Sequence, residues 1–143
     1  MPKKLGHGSY HIQVDHRVLI SESYGSWNDI TIKHFIDEYK LKATPLLNKA
    51  WAAIVDVSQW KLATQEAETI AKDFELWCKN NNRAHIAIVG SNSMINFQLN
   101  RSGLDDNESH IAIDHFSSQE KALDWLAQFG YLSTKRHCHQ HQS

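Results

Sequence analysis

Tryptophans, carboxylates and hydroxyl groups recur in short segments that each follow an apolar stretch of the sequence. Two indoles, Trp27 and Trp60, stand beside groups that can form hydrogen bonds with a ligand. Aromatic walls with a few polar groups are typical of a site that binds a small organic molecule. The same indoles are also interpretable as core residues that cover the ends of a sheet. The candidate residues for binding a ligand or a partner are Trp27, Asp56, Ser58, Trp60, Thr64, Ser91 and His115.

Imidazoles and a thiol are concentrated near the end of the sequence. His137, Cys138, His139 and His141 are ligand types that suit zinc, copper or nickel. No cluster with matching spacing occurs in the preceding sequence. Functional metal binding and adventitious capture of a divalent metal both remain open, and His-rich tracts of this kind favour adventitious capture. We therefore expect no resident cofactor.

Residue types that could support nucleophilic catalysis are present, but their pattern is weak. Cys78 falls on the apolar stripe of a predicted helix, which is typical of a small buried hydrophobe. The sequence has no Gly-x-Ser-x-Gly motif. Asp56, Ser58 and His115 have the residue types of a catalytic triad, but a triad is identified by geometry. We therefore predict that the chain is not an enzyme.

Small polar residues around Ser91 offer a further binding element. The segment 90–93 (GSNS) leads into a predicted helix, where backbone N–H groups could form a nest for a phosphate or carboxylate. The P-loop pattern is missing. A plain connection between a strand and a helix explains the same residues and is the favoured interpretation.

The hydrophobic pattern predicts the scaffold that must position these residues. Alternating and continuous apolar runs indicate strands, and helical spacing of apolar residues indicates helices. The order is β-β-α-β-α-β-α-β-α, which favours a single α/β domain with an N-terminal hairpin and one mixed sheet whose later strands are parallel. The predicted strands span 10–22 (the hairpin), 51–57, 85–89 and 110–113, and Ser26, Thr64 and Ser117 are the predicted N-caps of three helices.

This scaffold gives the candidate residues a common location. Ligands of open α/β sheets usually bind beyond the carboxyl ends of the parallel strands. All the candidate segments follow predicted strands, so we expect them to share one rim. We assign residues 1–8 to a flexible N-terminus, 9–132 to the domain and 133–143 to a polar, His-rich tail.

Composition excludes several classes of protein. The 143 residues are 41% hydrophobic and 22% charged, with a formal net charge of −1, which gives no bulk attraction to nucleic acid. No apolar run is long enough to span a membrane. Two cysteines cannot build a disulfide framework, so we expect a cytoplasmic protein.

Two local patterns carry a resemblance to a known family. The segment 53–60 (AIVDVSQW), leading to Thr64, resembles the STAS-like family related to stage II sporulation protein AA, the anti-anti-sigma factor. The segment 120–126 (EKALDWL) is similar to the helix that closes many small bacterial STAS/SEC14-like proteins. The resemblance covers roughly 9–131. It implies a STAS-like fold that binds a protein partner, a nucleotide or a lipid-like ligand, usually without catalysis.

The phosphorylation switch of that family is matched poorly. The family places its phosphorylated serine in an Asp-Ser-Ser-Gly-like turn at the start of a helix. In an ungapped match this turn falls on 64–67 (TQEA), where Thr64 occupies the Asp position. A phosphate would be stabilised at a helix N-terminus. Thr64 is also explained by N-capping alone, which is the favoured interpretation.

The sequence therefore predicts a non-enzymatic, STAS-like regulatory domain that acts by binding a protein partner. The expected surface is the rim with the start of the second helix, around Asp56, Trp60 and Thr64. The alternative is a carrier of a small molecule or lipid, either apolar or anionic, with its pocket at the carboxyl ends of the strands. Pairing of two chains through the edge of the hairpin, which would give a homodimer, is a further open alternative.

Overall fold

Five strands and four α-helices alternate in the part of the chain that the computed structural model describes, residues 8–104 and 111–132. A short 3-10 helix (Thr44–Leu46) follows the first α-helix. The order of the strands and helices is the predicted one. The strands are β1 (Gly8–Asp15), β2 (Val18–Trp27), β3 (Trp51–Ala63), β4 (Arg83–Val89) and β5 (Ala112–Phe116), and the helices are α1 (Asp29–Ala43), α2 (Gln65–Asn80), α3 (Ser93–Arg101) and α4 (Gln119–Ala127).

The strands form one mixed sheet in the order β1-β2-β3-β4-β5. The hairpin strands β1 and β2 are antiparallel, and each later neighbour pairs in parallel. This confirms the predicted α/β domain with an N-terminal hairpin. Parallel neighbours need crossover helices, which explains why a helix lies between each later pair of strands.

The helices divide unequally between the two faces of the sheet. Helices α1, α2 and α3 cover one face, which we call the broad face, and their apolar residues pack on Leu19, Val57 and Ile86. Helix α4 covers the opposite face, the narrow face, where it packs on residues such as Ile20 and Ile54. Both faces of the central strands are buried, and this accounts for the continuous apolar run at the start of β3.

Strand β3 extends beyond its predicted end, because two bulges interrupt the sequence pattern from which that end was predicted. Glu22 pairs with Asp56 and Tyr24 with Gln59, so β3 has one extra residue between them, and a second extra residue precedes the pair Trp27–Ala63. Such bulges reverse the alternation of side chains between the faces. The sequence pattern therefore breaks after Val57, although the strand continues to Ala63.

Two of the predicted N-caps are wrong by one or two residues. Helix α1 is capped by Asn28, whose side chain accepts a hydrogen bond from the Thr31 backbone N–H at 3.0 Å, because β2 continues past Ser26. Helix α4 is capped by Ser118 instead of Ser117. The Thr64 cap of α2 is confirmed.

Candidate functional site

A cavity of about 90 Å³ lies between the broad face and the helices that cover it. Its apolar wall is largely aromatic. Trp27 and Trp60 meet edge to face with ring centroids 6.1 Å apart, and Phe35 of α1 lies 4.9 Å from Trp27. Phe74 of α2 completes this wall at 6.0 Å from Phe35. The two candidate tryptophans are therefore brought together by the fold.

Small side chains create the space of the cavity. Ser21 and Ser23 project from β2 at positions where a broad-face strand usually carries a large aliphatic residue. Ala67 and Ala71 face them from the apolar stripe of α2. Because protein interiors are normally close-packed, small residues on both opposing surfaces leave an unfilled volume.

Trp27 is held in place by both its ring and its N–H group. It is only 5% exposed, and its Nε1 donates to the Tyr24 carbonyl oxygen at 3.1 Å. A Cβ on Gly8 would lie 2.2 Å from the Trp27 ring, so a glycine lets β1 pass directly over the indole. This residue is a core residue as well as part of the cavity wall.

Trp60 differs from Trp27 in its hydrogen bonding. The first bulge, between Asp56 and Gln59, brings Trp60 to the same face as Val57, where its ring packs against the core. Its Nε1 is buried and has no hydrogen-bond partner among the described residues. This bulge explains why a simple alternation from Asp56 does not predict where the indole points.

A buried arginine forms the polar end of the cavity. The Arg83 side chain is 1% exposed, and it donates to the carboxylate of Glu75 and to the Tyr39 hydroxyl, the latter at 3.3 Å. Burial opposes the charge of Arg83, but its interactions with Cys78, Glu75 and Tyr39 raise its pKa above the ordinary value. Burial raises the pKa of Tyr39 and also that of Cys78, to about 12, so both stay protonated at neutral pH.

The second buried donor without a partner, after Trp60 Nε1, belongs to Arg83. Its Nε is buried without a hydrogen-bond partner in the described ranges. Arg83 and Trp60 both line the cavity. We refer to Arg83 Nε and Trp60 Nε1 as the open donors.

A glutamine clamp fixes the helices at one side of the cavity. The Gln98 side chain of α3 accepts from the Ala63 N–H and donates to the Ala63 carbonyl, both at 2.8 Å. It also donates to Glu68 of α2 at 2.7 Å, and Glu68 pairs with Arg101 at 3.1 Å. Sequence reasoning missed this clamp, although polar residues at buried helical positions are its signal.

Asp56 and Ser58 lie on the narrow face. The Ser58 hydroxyl donates to Asp56 Oδ1 at 2.6 Å, and Gln119 Nε2 donates to Asp56 Oδ2 at 2.7 Å. Gln119 Nε2 also lies 2.7 Å from Glu22, the residue opposite Asp56 on β2. We call Glu22, Asp56, Ser58 and Gln119 the carboxylate cluster. It joins the first turn of α4 to the sheet.

The remaining candidate residues occupy separate positions. The Thr64 hydroxyl oxygen accepts from the Ala67 N–H at 3.2 Å, which is the predicted cap. Ser91 donates to the Asn96 side chain at 2.6 Å. His115 is exposed on β5. The structure thus brings Trp27 and Trp60 to the cavity and Asp56 and Ser58 to the opposite face.

Neither a metal site nor a membrane-spanning helix occurs in the residues that the structure describes. Residues 8–104 and 111–132 hold no group of three or more His, Cys, Asp or Glu side chains that could bind a metal ion. The candidate ligands His137, Cys138, His139 and His141 lie outside the described residues. None of the described helices is long and apolar enough to cross a membrane.

Comparison with known proteins identifies the fold. The sequence matches no model of a protein family, and it matches no curated protein. An uncharacterised protein of the DUF3478 family from Shewanella loihica PV-4, which has a SpoIIAA-like fold, superimposes with a TM-score of 0.67 at 13% identity. The match covers 83% of this chain and 94% of that chain. This chain has a SpoIIAA-like fold.

SpoIIAA itself supports this assignment. The unphosphorylated anti-sigma factor antagonist SpoIIAA matches with a TM-score of 0.54 at 8% identity, over 83% of this chain and 98% of that chain. The STAS-like fold predicted from the two sequence segments is therefore confirmed. At these identities the likeness concerns the fold alone.

Proposed function

We propose that the chain is a non-enzymatic regulatory domain that binds a small, mainly apolar molecule in the broad-face cavity. The observation that carries this proposal is the cavity itself, with its largely aromatic wall. A mostly apolar pocket with a few polar groups is the usual form of a small-molecule site. The SpoIIAA-like fold supports a regulatory role without catalysis, since SpoIIAA is an anti-sigma factor antagonist.

Burial of the apolar lining favours an occupied cavity. The wall is mainly apolar, so a ligand that fills the space gains free energy by removing this surface from water. The cavity lies beneath the broad face, whereas the alternative carrier function expected from the sequence placed its pocket at the strand ends. Of the seven candidate residues only Trp27 and Trp60 line the cavity.

Native mass spectrometry of untagged protein from its own cells tests this proposal. We expect a stoichiometric small mass on the wild-type chain and its loss in Ala71→Leu, because Ala71 lines the cavity. The matched control is Thr69→Leu, on the exposed side of the same helix, which should keep the bound mass. A bare wild-type chain under gentle conditions, or retention of the mass in Ala71→Leu, would contradict the proposal.

Binding of a protein partner is the second candidate function. The supporting observation is a pair of exposed apolar side chains on α3, Met94 at 64% and Phe97 at 63% exposure, one helical turn apart. Helix α3 is tied to the cavity wall through Gln98. A photo-crosslinking residue at Phe97 should capture one defined protein in the native cell, and the same residue at Lys33 of α1 should not. Equal capture from both positions would exclude a specific surface on α3.

A further inference from the structure

The two edges of the sheet differ in how they are protected against pairing with another strand. At one edge, β5 has only five residues and carries the polar pair Asp114 and His115. At the other edge, β1 has eight residues without a lysine, arginine or proline, and its one carboxylate, Asp15, lies at its last position. Short strands, charges and prolines are the usual protection of a sheet edge. Protection of β1 therefore depends on another part of the molecule.

Alternate residues of β1 point their backbone groups away from the sheet. Asp15 pairs with Val18 across a two-residue turn. Residues that close such a turn exchange both of their backbone hydrogen bonds. The ladder to β2 therefore uses the odd-numbered residues of β1, and the N–H and carbonyl groups of Tyr10, Ile12 and Val14 face outward. Among the described strands, only β2 pairs with β1.

A lysine of α1 lies across this outward edge. Nζ of Lys42 donates to the outward carbonyl oxygen of Ile12 at 2.7 Å, and it lies 3.0 Å from Oε2 of Glu38, one helical turn earlier. The ammonium group thus occupies the middle of the edge, where the backbone of an added strand would lie. Hydrogen bonds from charged donors are stronger than neutral ones, so an incoming backbone N–H would replace a stronger bond with a weaker one.

The side chains of β1 suit pairing with an antiparallel copy of the same strand. In the register that places Gln13 opposite Gln13 of the second copy, Ile12 lies opposite Val14 on the broad face. Val14 is 42% exposed in the single chain, and this pair would bury it. On the narrow face the same register places His11 opposite Asp15, and an imidazole can donate a hydrogen bond to a carboxylate.

Lys42 opposes this pairing in two ways. A second strand has to displace the ammonium group from the Ile12 carbonyl oxygen. A twofold axis at Gln13 also brings the two Lys42 side chains near each other, because each is bonded to the residue next to Gln13. Like charges in such proximity repel. One side chain of α1 therefore blocks an association that the sequence of β1 permits.

We propose that the edge of β1 is a pairing surface for a second copy of this chain, and that Lys42 keeps this surface closed in the monomer. The interface is isologous, with β1 paired to β1, and it would join two five-stranded sheets into one. The inference is independent of the proposed small-molecule function, because the residues that line the cavity include neither Lys42 nor any residue of β1.

Analytical ultracentrifugation of lysine variants tests this proposal. The wild type should stay monomeric up to its solubility limit. Lys42→Met removes the ammonium group, and we expect dimers with an association constant at least about tenfold above the upper limit for the wild type. Lys42→Arg keeps a charged donor and should stay monomeric. The matched control is Lys40→Met on the same helix, where the ammonium group lies 5.0 Å from the centroid of the Trp77 ring, and it should also stay monomeric.

A proline variant connects the association to the edge. Val14→Pro removes an outward N–H that the ladder to β2 does not use, and edge strands tolerate proline at such positions. The double variant Lys42→Met/Val14→Pro should therefore return to a monomer, and circular dichroism checks that each variant keeps its fold. Lys42→Gln repeats the test if Lys42→Met precipitates.

Three results would overturn the proposal. The first is a folded Lys42→Met chain that stays monomeric up to its solubility limit. The second is association of Lys42→Met that Val14→Pro does not reverse, because another surface would then be responsible. The third is a wild-type dimer that Val14→Pro dissociates, because the edge would then be open while Lys42 is present.

Discussion

The two faces of the sheet treat their polar groups in opposite ways. On the narrow face, Gln119 and Ser58 satisfy both oxygens of Asp56, and Gln119 also reaches Glu22. On the broad face, Trp60 and Arg83 keep buried donors without partners among the described residues. Polar groups that satisfy one another stabilise a fold, whereas a buried donor without a partner is uncommon in proteins. The carboxylate cluster is therefore structural, and the two donors of the broad face set that face apart from it.

Arg83 provides the strongest test of this contrast. Arg83→Met should lower the free energy of unfolding by about 3 kcal/mol, because it leaves the carboxylate of Glu75 without its partner in a buried position. Urea unfolding monitored by circular dichroism measures the change. The double variant Arg83→Met/Glu75→Met removes both charges and should return to within about 1 kcal/mol of the wild type. Equal losses in the single and double variants would show that the ion pair is not the cause.

The carboxylate cluster should be less sensitive than the arginine site. Gln119→Leu removes the amide that bridges Glu22 and Asp56, and we expect it to lower the free energy of unfolding by about 1–2 kcal/mol. Adding Glu22→Gln removes the repulsion between the two carboxylates and should recover part of the loss. Gln128→Leu, on an exposed position after α4, is the control and should have little effect. Similar losses at both glutamines would contradict a bridging role.

The two tryptophans of the cavity wall allow the same comparison within one face. Trp27→Phe removes a donor that is paired with the Tyr24 carbonyl, whereas Trp60→Phe removes an open donor. We expect Trp27→Phe to cost about 1 kcal/mol more in the free energy of unfolding than Trp60→Phe. Trp51→Phe, which removes a hydrogen bond to the Asn81 carbonyl, should behave like Trp27→Phe. A larger loss of unfolding free energy in Trp60→Phe than in Trp27→Phe would mean that the indole N–H of Trp60 has a hydrogen-bond partner.

The fold was predictable because it depends on patterns spread over many residues. Apolar runs such as 51–57 and 85–89 and the helical stripe of α2 each repeat a periodic signal, and the strand order follows from their alternation. The position of Trp60 was not predictable, because the bulge between Asp56 and Gln59 changes the face to which the following residues point. Single extra residues of this kind leave no periodic signal.

Individual polar residues explain the rest of what sequence reasoning missed. Arg83 begins β4 and Gln98 lies in α3, and neither belongs to a motif. Their importance depends on burial and on partners far away in the sequence, such as Tyr39 for Arg83 and Ala63 for Gln98. Gln119 joins residues from two strands in the same manner. Contacts between distant segments, unlike amphipathic stripes, cannot be read from local spacing.

An aromatic cluster on the narrow face gives the smallest expected effect. Nδ1 of His85, in β4, lies 2.7 Å from the Tyr131 hydroxyl oxygen. The rings of Trp125, Phe129 and Tyr131 surround the imidazole. Burial lowers the pKa of His85 below the ordinary value of 6.5. The unfolded chain therefore binds a proton more readily than the folded chain, and this contribution to stability is present above pH 6.5 and is lost as the pH falls through the folded-state pKa.

The pH dependence of the unfolding midpoint tests this effect of His85. We expect the thermal midpoint of the wild type to fall modestly as the pH is lowered from about 8 to about 5, and the slope to be smaller in His85→Gln, which cannot titrate in that window. His16→Gln, in the exposed hairpin turn, is the matched control and should keep the wild-type slope, since His16 lies outside the aromatic cluster. Equal slopes in the wild type and His85→Gln would show that burial of His85 does not couple its protonation to folding. The narrow face would then carry no pH-sensitive group at this position, and its contrast with the broad face would rest on hydrogen bonding alone.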